Sequence, residues 1–201
     1  YDFNDLVVAY RYQLGVNADG LVERIDGVAY LVARGSVYRH DWILDLPLVP
    51  SAAGTATCAT ATGSGQALLP CSVAVAGGLL RWTPFQDTVA AFPAPGAAAD
   101  VPVNTPAGNG FTRGPKATFS VTFAAPVAAA AMGTGSPWLA VRPTARPVVL
   151  VDRDPQGYPF AMLMPSAWRV PVERKDMGLA YPQLATFVAS VGTQGADWYR
   201  D

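Results

Sequence analysis

Short segments in which apolar and polar residues alternate recur along the chain, separated by turns rich in glycine and proline. This period of two is typical of β-strands that bury one face. The clearest segments are residues 5–14, 21–34 and 117–123. The first two are joined by Asn17-Ala18-Asp19-Gly20, where Asp-Gly tolerates the positive φ of a tight turn, so they are predicted to form a β-hairpin. Further strands are predicted at residues 43–48, 72–82, 138–141, 147–151 and 160–165.

Helical spacing of apolar residues is confined to short stretches. Leu184, Phe187 and Val188 predict a helix near the C-terminus, which Gly192 ends, and a second short helix is predicted within residues 83–91. Residues 51–67 are of low complexity and predict a surface loop, while residues 85–106 predict an irregular connection. We therefore predict one mostly β domain over residues 1–201, an antiparallel, jelly-roll-like β-sandwich with long irregular loops and one or two short helices.

The low charge of the chain narrows the range of partners. Charged residues make up 14% of the 201 residues against 51% hydrophobic ones, and the net charge is −1. Without a basic stripe, nucleic acid is not an expected partner, and no apolar run reaches the roughly 20 residues of a transmembrane helix. No signal peptide is present, so we expect a processed or trimmed chain that was secreted through a signal peptide absent from it.

The two cysteines, Cys58 and Cys71, flank a segment rich in Thr, Ala, Gly and Ser. A disulfide that pins this loop is the simplest interpretation, and it predicts an oxidising compartment outside the cytoplasm. Metal binding is the competing interpretation, but further Cys ligands and nearby His ligands are missing from the sequence.

Oxygen-bearing side chains precede the first strand at Asp2, Asn4 and Asp5. In an extended chain Asp2 and Asn4 point to one face and Asp5 to the other, and a turn would bring the three together. Carboxylate and amide oxygens so arranged suit a hard cation, above all Ca²⁺. The alternative is that they only make Asx turns before the strand. Asp152 and Asp154 are a second candidate pair of cation ligands, for which the alternative is a solvated turn.

Two further groups of residues suggest a chemistry. His40, the single histidine, lies beside Asp41 and near Asp45, which suits a hydrolase, but no Gly-x-Ser-x-Gly elbow or comparable nucleophile signal accompanies it. The alternative is a structural, hydrogen-bonded histidine. Tryptophan rings stack on sugars, which predicts a carbohydrate-binding module, unless the rings lie in the core. The five tryptophans are Trp42, Trp82, Trp138, Trp168 and Trp198.

Several motifs together resemble the LruC domain, a family also known as the domain of unknown function DUF4842, which occurs in bacterial surface and secreted proteins. The first motif is Asp2-Phe3-Asn4-Asp5-Leu6-Val7-Val8, followed by Tyr10-Arg11. The others, in chain order, are Gly35 with Tyr38 and His40, Leu44-Asp45-Leu46-Pro47, Val103-Asn104-Thr105, Val121-Thr122-Phe123 with Pro126-Val127, Leu163-Met164-Pro165, Tyr181-Pro182 and Asp197-Trp198-Tyr199. The resemblance covers nearly the whole chain, because the order holds from the first residue to the last.

The resemblance implies an extracellular or outer-membrane-associated protein with no assigned catalysis. It also implies an acidic segment before the N-terminal motif in other members, so ligands that complete a Ca²⁺ site here would come from elsewhere, with Asp152 and Asp154 as candidates. We therefore predict a non-enzymatic extracellular structural or adhesion module of the bacterial surface, stabilised by Ca²⁺. Its expected partners are further copies of itself in a filament, or other surface proteins and glycans. A carbohydrate-binding module of a secreted protein is the alternative.

Overall fold

The computed structural model describes residues 4–66, 69–96, 101–142 and 168–200. Within these ranges the strands are β1 (Val7–Val16), β2 (Leu21–Ala33), β3 (Arg39–Pro47), β4 (Gly54–Ala61), β5 (Ser72–Ala76), β6 (Leu79–Phe85), β7 (Lys116–Ala128) and β8 (Ser136–Arg142). The helices are α1 (Thr88–Ala91), α2 (Met177–Ala180) and α3 (Leu184–Ala189), with 3₁₀ turns at Ala129–Ala131 and Trp198–Arg200. None of the described helices is long and apolar enough to cross a membrane.

The strands form two antiparallel sheets, which confirms the predicted β-sandwich. One sheet has the order β1-β2-β7-β4 and the other β5-β6-β3-β8. The eight described strands are divided equally between the two sheets, and the consecutive pairs β1–β2 and β5–β6 are hairpins, each within its own sheet. Helix α3 also confirms the predicted C-terminal helix, and α1 lies within the predicted residues 83–91.

The first hairpin forms at the predicted turn. The Asn17 side chain accepts hydrogen bonds from the main-chain nitrogens of Asp19 at 3.0 Å and Leu21 at 2.9 Å. Gly20 has a φ of 75°, which costs an L-residue steric strain and glycine none. The side chain of Asn17 therefore closes the turn that sets the register of β1 against β2.

The prediction of a surface loop over residues 51–67 is wrong, because residues 54–61 form the edge strand β4 paired with β7. Small alternating Thr and Ala residues gave the segment a low-complexity composition that concealed its period of two. Residues 72–82 are also two strands, β5 and β6, rather than one. Gly77 and Gly78, with φ of 58° and 78°, make the turn between them.

Strand β7 extends beyond the predicted end at Phe123 and runs through Pro126. Proline cannot donate to a ladder and is tolerated at irregular positions. The pairing with β2 jumps here from Thr122 to Val127, so Pro126 falls within the irregular step. The predicted strands at residues 147–151 and 160–165 lie outside the described residues.

Aromatic rings from both sheets form the main core. Trp82 of β6 is fully buried, and its ring centroid lies 4.6 Å from that of Phe119 on β7 and 6.1 Å from that of Trp42 on β3. The inward residues of β7 are Phe119, Val121 and Phe123, as their alternation predicts. A second, smaller core in the C-terminal segment joins Met177, Tyr181, Leu184 and Trp198.

The predicted disulfide between Cys58 and Cys71 is present, with a Cα–Cα distance of 6.3 Å. Cys58 belongs to β4, the edge of one sheet, and Cys71 directly precedes β5, the edge of the other. The bond therefore joins the two sheets along one side of the sandwich, rather than only pinning a loop.

Replacing both cysteines (Cys58→Ala with Cys71→Ala) is expected to lower the free energy of unfolding by about 3 kcal/mol, because the unfolded chain gains loop entropy. Urea titration followed by tryptophan fluorescence measures this loss. As the control, a reductant should destabilise the wild type similarly and leave the double variant unchanged. Equal stability of the two proteins without reductant would contradict the structural role of the bond.

Candidate functional site

Four chain segments meet beside Gly35, two residues beyond the end of β2. The segment before β1 arrives with Asn4 and Asp5, whose main-chain oxygens accept from the nitrogen of Gly35 at 3.0 and 3.2 Å. Thr105, in the connection before β7, and Glu173, in the C-terminal segment, form the opposite side. We refer to Asn4, Gly35, Thr105 and Glu173 as the terminal junction.

Thr105 and Glu173 are joined by a reciprocal pair of hydrogen bonds. The Thr105 hydroxyl donates to Oε2 of Glu173 at 2.9 Å, and the main-chain nitrogen of Glu173 donates to the carbonyl of Thr105 at 2.9 Å. Thr105 is buried and Glu173 is half-buried. These contacts dock the C-terminal segment on the sandwich.

Asn4 is fully buried and completes the contact between the two ends of the described chain. Its Nδ2 donates to the carbonyl of Pro171 at 3.1 Å, while its Oδ1 is buried and accepts no hydrogen bond from the described residues. A Cβ placed on Gly35 would lie 2.6 Å from Oδ1 of Asn4 and 2.7 Å from Oε2 of Glu173. Glycine is therefore required here by the close approach of oxygens.

The structure places only part of the predicted cation site. Asn4 lies at the junction, and Asp5 is exposed beside it with its carbonyl also accepting from Ser36 at 3.1 Å. Asp2, Asp152 and Asp154 lie outside the described residues. Within the described residues no group of three or more His, Cys, Asp and Glu side chains is placed to hold a metal. The oxygens that lie close together beside Gly35 are instead the side-chain amide oxygen and the main-chain carbonyl oxygen of Asn4 and a carboxylate oxygen of Glu173.

Sequence reasoning missed Glu173 and Thr105. Glu173 stands in the charged run Glu173-Arg174-Lys175, which is typical of a solvated surface, and no spacing relates it to Asn4 far away along the chain. Only folding brings the two residues together.

His40 is buried on β3, and its Nδ1 lies 2.6 Å from the hydroxyl of Thr88, which is fully buried at the start of α1. Burial lowers the pKa of His40 below its ordinary value of 6.5, and the positive charge of Arg34 lowers this pKa further. The negative charges of Asp41 and Asp87 raise the pKa, but their effect is smaller. The hydroxyl and the imidazole are both enclosed, so the pair is suited to a structural hydrogen bond.

The aspartates near His40 have structural partners. Asp41 accepts from the main-chain nitrogen of Asp87 at 2.7 Å, and Asp87 caps α1 and is paired with the guanidinium of Arg39. Asp45 accepts from Nε of Arg81 at 2.8 Å. These carboxylates therefore hold strands and the helix in place.

Arg34 is fully buried at the end of β2 and ties three main-chain segments together. Its guanidinium donates to the carbonyls of Ser36 at 3.0 Å, Phe92 at 3.2 Å and Val101 at 2.8 Å. Hydrogen bonds from a charged donor are stronger than neutral ones. Arg34 thus holds Gly35, its neighbour in the chain, in the position that receives Asn4 and Glu173.

The tryptophans are poorly placed to stack on sugars. Trp42, Trp82 and Trp198 are buried in the two cores. Trp138 is half-buried, with the guanidinium of Arg81 5.2 Å from its ring centroid and its Nε1 donating to Asp45 at 3.0 Å. Trp168 is half-buried against Tyr181. The guanidinium of Arg81 thus covers one face of the Trp138 ring.

A cleft of about 390 Å³ opens between residues 94–95, 101–104 and 108–110, which belong to the connection between α1 and β7. Val101, Asn104 and Thr112 are among the residues that line it, and Asn104 is held by hydrogen bonds to the main chain of Thr112 at 2.7 Å. The described lining consists of apolar, amide and hydroxyl side chains and glycines, so it lacks an acid, a base or a charged ligand.

Comparisons with known proteins bear on the family and on the fold. Residues 153–199 match the family described as "Domain of unknown function (DUF4842)", which confirms the predicted resemblance to this family over the C-terminal part of the chain. The matched residues include Glu173 and the second core. The name LruC stays a prediction. No curated protein shows significant similarity to the chain.

A solved structure shares the fold. The chain is similar to a protein described as a "Putative lipoprotein from Bacteroides ovatus", with a TM-score of 0.66 and 13% identity. The likeness covers 100% of this chain and 68% of that chain. At this identity it establishes the fold alone.

Stability should depend on pH through His40. The pKa of His40 is lower in the folded state than in the unfolded state. Below about pH 6.5 the unfolded chain therefore binds a proton at His40 that the folded chain does not bind. The free energy of unfolding therefore has its full value above pH 6.5. As the pH is lowered further, it decreases by at most about 1.4 kcal/mol per pH unit. Urea titrations at pH 7.5, 6.5 and 5.5 measure the slope.

His40→Gln is the control for this slope, because His40 is the single histidine. The variant should be less stable at pH 7.5 and should lose the dependence between pH 7.5 and 5.5. An identical slope in the variant would show that His40 is not its source.

Proposed function

We propose that this chain is a non-enzymatic structural module of the bacterial cell surface or extracellular space. The observation that carries the proposal is the disulfide between Cys58 and Cys71, which joins the edges of the two sheets. Such a bond persists in oxidising compartments and is rare in the cytosol. The similar fold belongs to a protein described as a lipoprotein, which agrees with a surface location.

The side chains that suggested catalysis support a structural role instead. His40 and Thr88 are enclosed, and the cleft beside residues 101–104 has no titratable group in its described lining. The buried side chain of Arg34 donates to the carbonyl of Ser36, and the buried side chain of Asp87 accepts from the main-chain nitrogen of Ala90, so both hold main-chain segments in place. A module of this kind offers surfaces and edges to partners rather than a reaction centre.

The location is tested on cells of the source organism. A thiol-alkylating reagent added before lysis should leave Cys58 and Cys71 unmodified until a reductant is supplied, as mass spectrometry reports. An antibody against the folded protein should label intact cells or the culture medium. Alkylation of both cysteines without reductant, together with labelling only after lysis, would overturn the proposal.

The finer part of the proposal is self-association through β1. This ten-residue strand is an edge of its sheet, and no other strand of the described chain pairs with its outer side. It contains one charged residue, Arg11, and no proline or lysine, the residues that commonly protect edges. Leu14 and Val16 are 38% and 59% exposed. An edge of this kind suits strand addition by a second copy.

Assembly is tested with Leu14→Lys, which puts a charge on the edge. The wild type should form oligomers or filaments visible by negative-stain electron microscopy and light scattering, and Leu14→Lys should shift the population to monomers. Leu179→Lys, on exposed α2, is the matched control and should assemble as the wild type does. If the wild type stays monomeric at high concentration, the proposed self-association is contradicted. The proposed surface location is not affected by that result.

A further inference from the structure

The orientation of the Asn4 side chain leaves a buried oxygen in need of a partner. Pro171 offers a carbonyl, which only accepts, so the nitrogen of the Asn4 amide must face it, as the 3.1 Å contact shows. Oδ1 consequently points to the other side, where it is buried without a donor in the described part of the chain. Burying an unsatisfied acceptor is costly, and such a group in a folded protein calls for an explanation.

The group that Oδ1 faces makes this cost larger. Oδ1 of Asn4 and Oε2 of Glu173 both lie within 2.7 Å of the position that a Cβ on Gly35 would occupy, so the two oxygens are close to each other, and the carbonyl oxygen of Asn4 lies 2.8 Å from that position. Thr105 supplies one donor to the carboxylate. The carbonyl of Asn4 accepts from the nitrogen of Gly35 at 3.0 Å, so Oδ1 of Asn4 is the oxygen left without a donor. This amide oxygen and the neighbouring carboxylate of Glu173 repel one another. A positive charge placed among them would turn the repulsion into attraction.

We propose that the terminal junction binds a calcium ion between Asn4 and Glu173. Calcium accepts amide, carboxylate and main-chain carbonyl oxygens in an adaptable sphere, whereas Mg²⁺ demands a near-ideal octahedron and Zn²⁺ favours nitrogen and sulfur. The absence of a side chain on Gly35 is what allows these oxygens to approach one another. Water completes the sphere, so the affinity belongs to the range of extracellular modules, about 10⁻⁴–10⁻³ M.

This inference goes beyond the proposed function and does not depend on it. The ion would connect Asn4 to Glu173. Asn4 lies just before β1, and Glu173 lies within the residues that match the family. Calcium would thereby control how firmly the C-terminal segment is docked on the sandwich. A water molecule or a proton shared with Glu173 are the other occupants of the space, and neither makes stability depend on calcium.

The test compares Glu173→Gln with Glu23→Gln in the full chain. Both variants lose one negative charge, but Glu23 is exposed on β2 away from the junction. Calcium at several times its dissociation constant should raise the Tm of the wild type and of Glu23→Gln by about 2–4 °C relative to chelator. Glu173→Gln should lose this rise, and calorimetry with CaCl₂ should show its affinity reduced by at least about tenfold.

Several results would overturn the inference. They are a wild-type Tm that is equal in calcium and chelator, an equal shift in Glu173→Gln, or a shift that MgCl₂ reproduces at the same concentration. If Glu173→Gln fails to fold, calorimetric titration of the wild type decides alone, since no heat of binding at about 10 mM calcium excludes the site.

Discussion

The two sheets are held at their spacing by Trp82 and Phe119, and the rest of the structure depends on this contact. Trp82 fills the space between the sheets, and Phe119 of the opposite sheet packs 4.6 Å from it, centroid to centroid. The Phe119 ring occupies the place of a side chain at Gly27, its partner across the β2–β7 ladder. Sheets of a sandwich pack about 10 Å apart when their inner side chains interdigitate in this way. Only at that spacing do Cys58 and Cys71, on the edges of different sheets, come within reach of a disulfide.

Buried polar groups then organise what lies at the end of this sandwich. Arg34 donates hydrogen bonds to main-chain carbonyls of three segments, and these bonds fix the main chain around Gly35. Gly35 in turn receives Asn4 from one end of the chain and lies beside Glu173 from the other. The same principle operates at His40, where a histidine that suggests catalysis is used to anchor α1. Buried charge and hydrogen-bonding groups here position segments that hydrophobic packing alone would leave undetermined.

Local pattern was a good guide wherever large apolar residues alternate with polar ones. The hairpin of β1 and β2 and the inward face of β7 were predictable, because Val, Ile and Phe mark the buried positions and Asp19-Gly20 marks the turn. The same reasoning failed at β4, whose inward positions Ala56 and Cys58 are small, so the buried face carries little hydrophobic signal. It also failed at Gly77 and Gly78, where a tight hairpin turn resembles an interruption within one strand.

The amino-acid sequence by itself determined the fold class, the first hairpin and the pairing of the two cysteines. These features depend on periodicity, turn chemistry and the small number of available partners, all of which are local or countable. Only the tertiary structure decided that the disulfide joins two sheets, that His40 is enclosed and that Glu173 lies beside Asn4. The physical reason is that a hydrogen bond or a ligand set depends on distance in space, and the 168 residues between Asn4 and Glu173 place no constraint on that distance until the sandwich has formed.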